Sequence, residues 1–342
     1  MKIRNIYIVS ALFASLFGSC KNGDAVFPDY GVKTVYFANQ YPLRTVVLGE
    51  SPFVDNTLDN QRKVSIKATV GGVYDNNEDI LIDVTVDETL LNGLKYSDNS
   101  AQVLPMPSQY YRLLSNQIKI PKGSILGGVD VQLTDDFFAD PKAISRNYVI
   151  PLVMTKVVGA NGILAGTPSV ANPSRVVPSN WSVRPKDYVL YAIKYVNPWH
   201  ANYLRKGVDD IVNNGVASKV TRHAQYVENN QVVSITATSL TNSYLPLTIK
   251  NNAGNNVAYN VVFNFTDATN CTLSSNTANV EIIGSGKFVS NGEKNSIGGT
   301  DRSAIYLNYT VDFKTLNIKY TTTDTLIVRD RNIAPQYFDV IK

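Results

Sequence analysis

Hydrophobic and polar residues alternate along most of this chain. The clearest stretch is Ile80 to Asp87, where Ile80, Ile82, Val84 and Val86 face one way and Leu81, Asp83, Thr85 and Asp87 the other. A period of two in β-branched residues predicts a half-buried strand. From Val32 onward the segments VKTVYFA, TVVLG, KVSIKATV, QIKIP, VDVQLTDDF and NYVIPLVMTKV follow one another with turn residues between them. About seven strands in roughly 130 residues predict an immunoglobulin-like β-sandwich. It would span residues 32–158. The stretch 159–187 is rich in Gly, Pro, Ser and Asn and carries no period. It reads as an interdomain linker, or as a segment wrapped along one domain. Pattern resumes at YVLYAIKYV and runs on through QVVSITATSL, VAYNVVFNFT, AIYLNYTVDF and DTLIVRD. About eight or nine strands with Asn/Gly turns predict a lipocalin-like antiparallel β-barrel. It would span residues 188–342. The predicted fold class is all-β. Helical period is nearly absent, apart from a short turn expected near Leu204 to Ile211.

The N-terminus breaks the alternation. Lys2 and Arg4 precede the apolar run IYIVSALFASLF, which closes at Gly18-Ser19-Cys20. That order predicts a secretory signal peptide over residues 1–19. A cysteine directly after small residues resembles a bacterial lipobox, with Phe17 where such sequences more often carry Leu. The resemblance implies that Cys20 is lipidated and anchors the chain to a membrane. Residues 20–31 mix Gly, Pro and polar side chains and read as a tether. No later run reaches the roughly 18 apolar residues of a membrane helix.

Charge narrows the partners. The formal charge of +4 falls to +2 once the leader's two cations are removed. A chain so close to neutral is not built for nucleic acid. Its two cysteines are Cys20 and Cys271, so an acylated Cys20 leaves no disulfide framework. Cys271 follows a strand pattern and reads as a small half-buried residue.

Catalytic constellations are scarce. The two histidines, His200 and His223, lie far from any Gly-x-Ser-x-Gly turn, and that motif does not occur. Zinc would require clustered His or Cys at short spacing. The loop Asp75-Asn76-Asn77-Glu78-Asp79 has calcium-ligand residue types but lacks the glycine and distal glutamate of an EF-hand, and reads as a hairpin turn. Asp135-Asp136 and Asp209-Asp210 are adjacent pairs whose members point apart in a strand, unlike the facing carboxylates of a glycosidase. No catalytic residue, metal or cofactor is assigned, and the chain reads as a non-enzyme.

The surplus is aromatic, with 20 tyrosines among 342 residues. Tyr and Trp fill cores, and they also stack on sugar rings while bonding to hydroxyls. The densest cluster is Tyr188, Tyr191, Tyr195, Trp199 and Tyr203. Tyr191, Tyr195, Trp199, His200 and Tyr203 are candidate ligand contacts, with burial in the core as the competing role. Trp181, in the linker, is either an interdomain wedge or an exposed platform. Barrel closure is expected from Trp199 under Arg329 or Arg331, by cation–π contact.

These residues also carry a resemblance. The string YVLYAIKYVNPWHANYLRKG, from Tyr188 to Gly207, resembles the opening of the second domain in two-domain lipoproteins of gut Bacteroidetes. GGTDRSAIYLNYTVDF and TTDTLIVRDR, between Gly298 and Arg331, resemble that domain's closing strands, with Ala201 where the group often has Gly. The first domain is similar to the β-sandwich that precedes the catalytic barrel in family 18 endo-β-N-acetylglucosaminidase-like proteins. The resemblance implies glycan binding or adhesion at the cell surface, beside outer-membrane glycan-uptake proteins. The Asp-x-x-Asp-x-Asp-x-Glu motif of the family 18 barrel is missing, so hydrolysis is not implied. Non-catalytic binding of a polysaccharide or glycoprotein glycan is the leading expectation. Its rivals are an adhesin or assembly component that grips protein, a hydrolase with an unfamiliar carboxylate site, and a barrel holding a small apolar ligand. The anchor has a direct check. Palmitate should label the wild-type chain and fail to label Cys20→Ala, and a label that survives the substitution removes the anchor.

Overall fold

The computed structural model describes Asp29 and residues 31–342. The leader, Cys20 and nearly all of the tether lie outside the described residues. The fold is all-β, with a sandwich-like N-terminal region and a closed barrel after it.

One hydrogen-bonded path of strands builds the first region. Across it run Gly162–Ile163, Thr34–Tyr36, Lys63–Gly71, Leu126–Leu133, Gln117–Ile120, Ile80–Val86, Tyr148–Val158, Tyr188–Val196, Pro42–Val47 and Gln336–Tyr337. The path folds back on itself where Gln117–Ile120 meets Leu126–Leu133 through the pair Lys119 and Gly128. A Cβ on the neighbouring Gly127 would sit 2.1 Å from the carbonyl oxygen of Lys119, so the crossing requires glycine. Between the two halves Phe37, Ile66, Ile80, Ile82, Val131 and Ile150 are buried.

A second core lies behind the same strands. Leu90, Leu94, Tyr96, Val103 and Phe338 pack against Val149, Val153 and Leu190. Tyr148–Val158 and Tyr188–Val196 are thus covered on both faces over most of their length. A strand buried on both faces loses its alternation, which explains the near-continuous apolar run YVLYAIKYV, broken only by Lys194. It also corrects the domain boundary. Tyr188–Val196 does not open the barrel but pairs with Tyr148–Val158 and, in parallel, with Pro42–Val47. The change of region falls at Asn197–His200. The stretch 159–187 wraps along the first region, where Gly162 and Ile163 pair with Thr34 and Val35. Within the stretch Arg175 pairs with the buried Asp187 at 3.0 Å.

The barrel strands are Ala201–Asn213, Gln231–Ala237, Asn242–Lys250, Asn256–Phe265, Asn270–Ser274, Val280–Glu293, Arg302–Phe313 and Ile318–Asp330. All are antiparallel, and the last pairs back onto the first. Leu204 to Ile211 is strand throughout, so the expected helical turn there is absent. Asp135-Asp136 open a short helix, Asp135–Ala139, where strand geometry was expected. Asp209 and Asp210 do point apart. Asp210 faces outward to Lys219 at 3.1 Å, and Asp209 faces in.

The interior is filled by Tyr259, Phe263, Phe313 and Leu326 around a buried charge network. Asp324 accepts from Arg205 Nε and from the Tyr309 hydroxyl, both at 2.9 Å, and from Arg222. Arg222 also pairs with Asp209, which accepts from Thr322 at 2.8 Å. Space for this comes from Gly207, where a Cβ would lie 2.3 Å from Asp324 Oδ1. Past the barrel the tail returns to the first region, pairing Gln336 and Tyr337 with Leu43 and Pro42 and burying Phe338. Removing one member of a buried ion network leaves its partners uncompensated. Asp324→Ala should therefore lower stability by about 3–5 kcal/mol, read from the urea midpoint.

Candidate functional site: a cleft between the two regions

The strand Pro42–Val47 lies near the edge of the first sheet, and the returning tail covers only Pro42 and Leu43. Side chains satisfy the rest of its edge. Val47 N donates to Asp59 Oδ2 at 2.8 Å, and Asn56 Nδ2 donates to the carbonyls of Val47 and Gly49 at 2.8 and 2.6 Å. Arg44 turns its guanidinium onto Asp59 and the carbonyl of Thr45. The tail from Asp330 to Tyr337 forms the opposite wall. Between the walls lies a cleft of about 710 Å³, within the range of small-molecule sites.

Two aromatic rings stand in its lining with most of their surface in solvent. Phe53 is 62 % exposed and Tyr337 61 % exposed, with Val54 and Ile333 exposed beside them. The amide side chains of Asn39, Asn332 and Gln336 line the same cleft and make no hydrogen bond among the described residues. Arg302 sits 5.0 Å from the Phe53 ring centre. Ser303 donates to Glu50 Oε2 at 2.7 Å and ties the loop that carries Phe53 to the barrel.

One buried guanidinium joins the two regions at the cleft. Arg331 donates to four carbonyls: His200 at 2.9 Å, Asn197 at 2.9 Å, Leu48 at 3.0 Å and Glu50 at 2.5 Å. This replaces the expected closure by cation–π contact. Among the described residues no cation lies over Trp199. Its ring stacks on Phe265 at 3.4 Å and 3°. Arg329 points to solvent, 3.8 Å from Asp330. Four of the five N–H groups of the Arg331 guanidinium are committed to backbone carbonyls.

The residues expected to bind ligand are mostly core. Tyr195 and Tyr203 are fully buried and donate to the carbonyls of Phe138 and Trp199 at 3.0 and 2.8 Å. Trp199 is buried against Phe265, and His200 Nδ1 accepts from Ala237 N at 3.3 Å. Trp181 is half-buried and donates to the carbonyl of Ser174 at 2.8 Å, inside the wrapped segment rather than between domains. Tyr191 alone of these reaches the cleft lining, with 9 % of its surface exposed. Buried ring faces leave no place for a sugar, so Tyr195, Trp199, His200 and Tyr203 act as structural residues. Burial pushes the Cys271 thiol up to about 12, which makes it a poor nucleophile. Asn76, from the acidic loop, is buried and donates to the carbonyls of Pro121 and Ser124.

Sequence reasoning missed Phe53 and Tyr337. Each stands beside or near a proline in a stretch without strand period, Ser51-Pro52-Phe53 and Pro335-Gln336-Tyr337. An aromatic outside any periodic segment was the available signal.

A crystal structure of a Bacteroides ovatus protein of unknown function is 51 % identical, with a TM-score of 0.85, over 91 % of this chain and 99 % of that one. The chain belongs to the same family. A family profile described as a domain of unknown function, DUF5627, matches residues 198–332, and a profile for an N-terminal domain matches residues 30–161. The first profile begins where the structure changes region, at Asn197–His200. A second Bacteroides ovatus structure of unknown function is 14 % identical, with a TM-score of 0.40, over 90 % of this chain and 99 % of that one. A multidomain protein including DUF1735, from the same organism, is 12 % identical, with a TM-score of 0.41, over 88 % and 96 %. No curated protein matches.

The hinge histidine makes stability depend on pH. Burial pushes His200 down to about 4, helped by the charges of Arg331 and Lys194. On acidification the unfolded chain takes up this proton first. The contribution of His200 is complete above about pH 6.5 and is lost as pH falls toward about 4, up to about 3 kcal/mol. Urea midpoints of His200→Gln should fall less steeply across that window than those of the wild type.

Proposed function

We propose that this chain is a non-catalytic glycan-binding protein. It would be held at the outer membrane through Cys20 and would serve a polysaccharide-uptake system. The observation that carries the reading is the cleft, where exposed Phe53 and Tyr337 stand beside the free amides of Asn39, Asn332 and Gln336. Aromatic faces cover the apolar C–H surface of a sugar ring, and amides bond to its hydroxyls. Both partners of a glycan are thus present in one concave site.

The buried carboxylates lend hydrolysis no support. A glycosidase needs one carboxyl that holds a proton and another facing it. Asp59 in the cleft is already bound by Arg44 and Val47 N. Asp209 and Asp324 in the barrel are paired with Arg222 and Arg205. A lipid tether would suit a weak binder, because it concentrates many copies beside the same polymer. The adhesin reading rests on Val216–Arg222, an exposed strand at the end of the barrel's pairing order. Lys219 in its middle blunts that edge against strand addition.

The mature protein should bind at least one glycan on a broad array. Phe53→Ala and Tyr337→Ala should each weaken that binding about tenfold, or ~1.4 kcal/mol. Their thermal unfolding should match the wild type, since both rings are exposed. Silence across the array would sink the reading.

A further inference from the structure

The charges around the cleft go further than its shape. Two guanidinium groups line it, and both are already engaged. Arg44 is bound to Asp59 and the carbonyl of Thr45. Arg331 is bound to four carbonyls and buried. The carboxylates are less committed. Asp55 is exposed, and no cation pairs with it among the described residues. One of its oxygens accepts from Thr57 N and Oγ1, and the other has no bond. Asp330 accepts from Asn202 and from Asn332 N, with Arg329 at 3.8 Å. Arg302, behind Phe53, belongs to the neighbouring pocket and does not line this cleft.

We infer that the cleft takes a neutral glycan and rejects uronate- and sulfate-bearing chains. This rests on the glycan reading above and names its substrate class. An anionic sugar would meet an uncompensated carboxylate at Asp55 and would find no free cation among the described residues that line the cleft. A neutral sugar meets hydrogen-bond acceptors at Asp55 and Asp330 and donors at the three amides. Carboxylates repel anions and accept strongly from hydroxyls.

The sign of the salt effect tests this on the unmodified mature chain. Opposed charges bind more weakly as salt rises, and like charges bind less weakly, because salt screens both. Neutral probes would be mannan and a β-glucan, and acidic probes polygalacturonate and chondroitin sulfate, at low and high sodium chloride. Acidic probes should bind at least tenfold more weakly than the best neutral probe, and high salt should narrow the gap. In Asp55→Asn, whose amide oxygen keeps the Thr57 bonds, the ratio of acidic to neutral binding should rise at least threefold. Acidic binding that is tight, falls with salt and is lost in Phe53→Ala would overturn the neutral assignment and leave the glycan reading standing. An unchanged ratio in Asp55→Asn would overturn the charge argument. Failure of all four probes, with silence on the array, would remove the glycan reading and this inference with it.

Discussion

Arg331 holds the two regions together. Its guanidinium takes four carbonyls from two chain segments, the loop after Pro42–Val47 and the turn Asn197–His200. Burying a cation is costly unless its donors are satisfied, and here carbonyl dipoles meet them without a paired acid. Burial lowers its pKa from the usual arginine value, opposed by Tyr203 and Glu50. The geometry places three things at once. It fixes the hinge, it sets the loop that carries Phe53, and it starts the tail that forms the far wall of the cleft.

The barrel follows a different logic. Lipocalin-like architecture raises the expectation of an internal ligand, yet this interior is occupied by protein. Tyr259, Phe263 and Phe313 supply bulk. Asp324, Asp209, Arg205 and Arg222 supply a buried network of matched charge. Gly284 completes the fit, because a Cβ there would lie 2.3 Å from the Tyr309 Cβ. With so much of the barrel filled, the cleft of about 710 Å³ lies at the junction instead.

The fold class was legible because alternation is a local property. Ile80, Ile82 and Val84 are buried as their period requires, and Leu81 and Asp83 are half-exposed on the other face. YVLYAIKYV was misplaced for a physical reason. A continuous apolar run says that a strand is covered on both faces and does not say by which neighbours. The aromatic cluster fails with it, since Tyr188, Tyr195 and Tyr203 are core side chains whose hydroxyls find partners on Tyr41, Phe138 and Trp199. Phe53 and Tyr337 were illegible because their meaning is tertiary. They lie far apart in sequence and become neighbours in one cleft only when the tail returns to Pro42–Leu43.

That return has a consequence for how the molecule is made. Val340 and Ile341 pair with Tyr96 and Lys95, and Phe338 sits in the core behind Leu190. The first region is therefore finished by residues that follow the whole barrel in the chain. Domains ordinarily fold in order of synthesis, but here part of the cover over Val149 and Leu190 is Phe338, which comes after the barrel in sequence. Strand Pro42–Val47 keeps a bare flank until the barrel has been threaded and the tail has docked. Docking of the tail and the closing of the cleft are then one event, and a chain cut short before Gln336 would have a cleft with only part of its far wall.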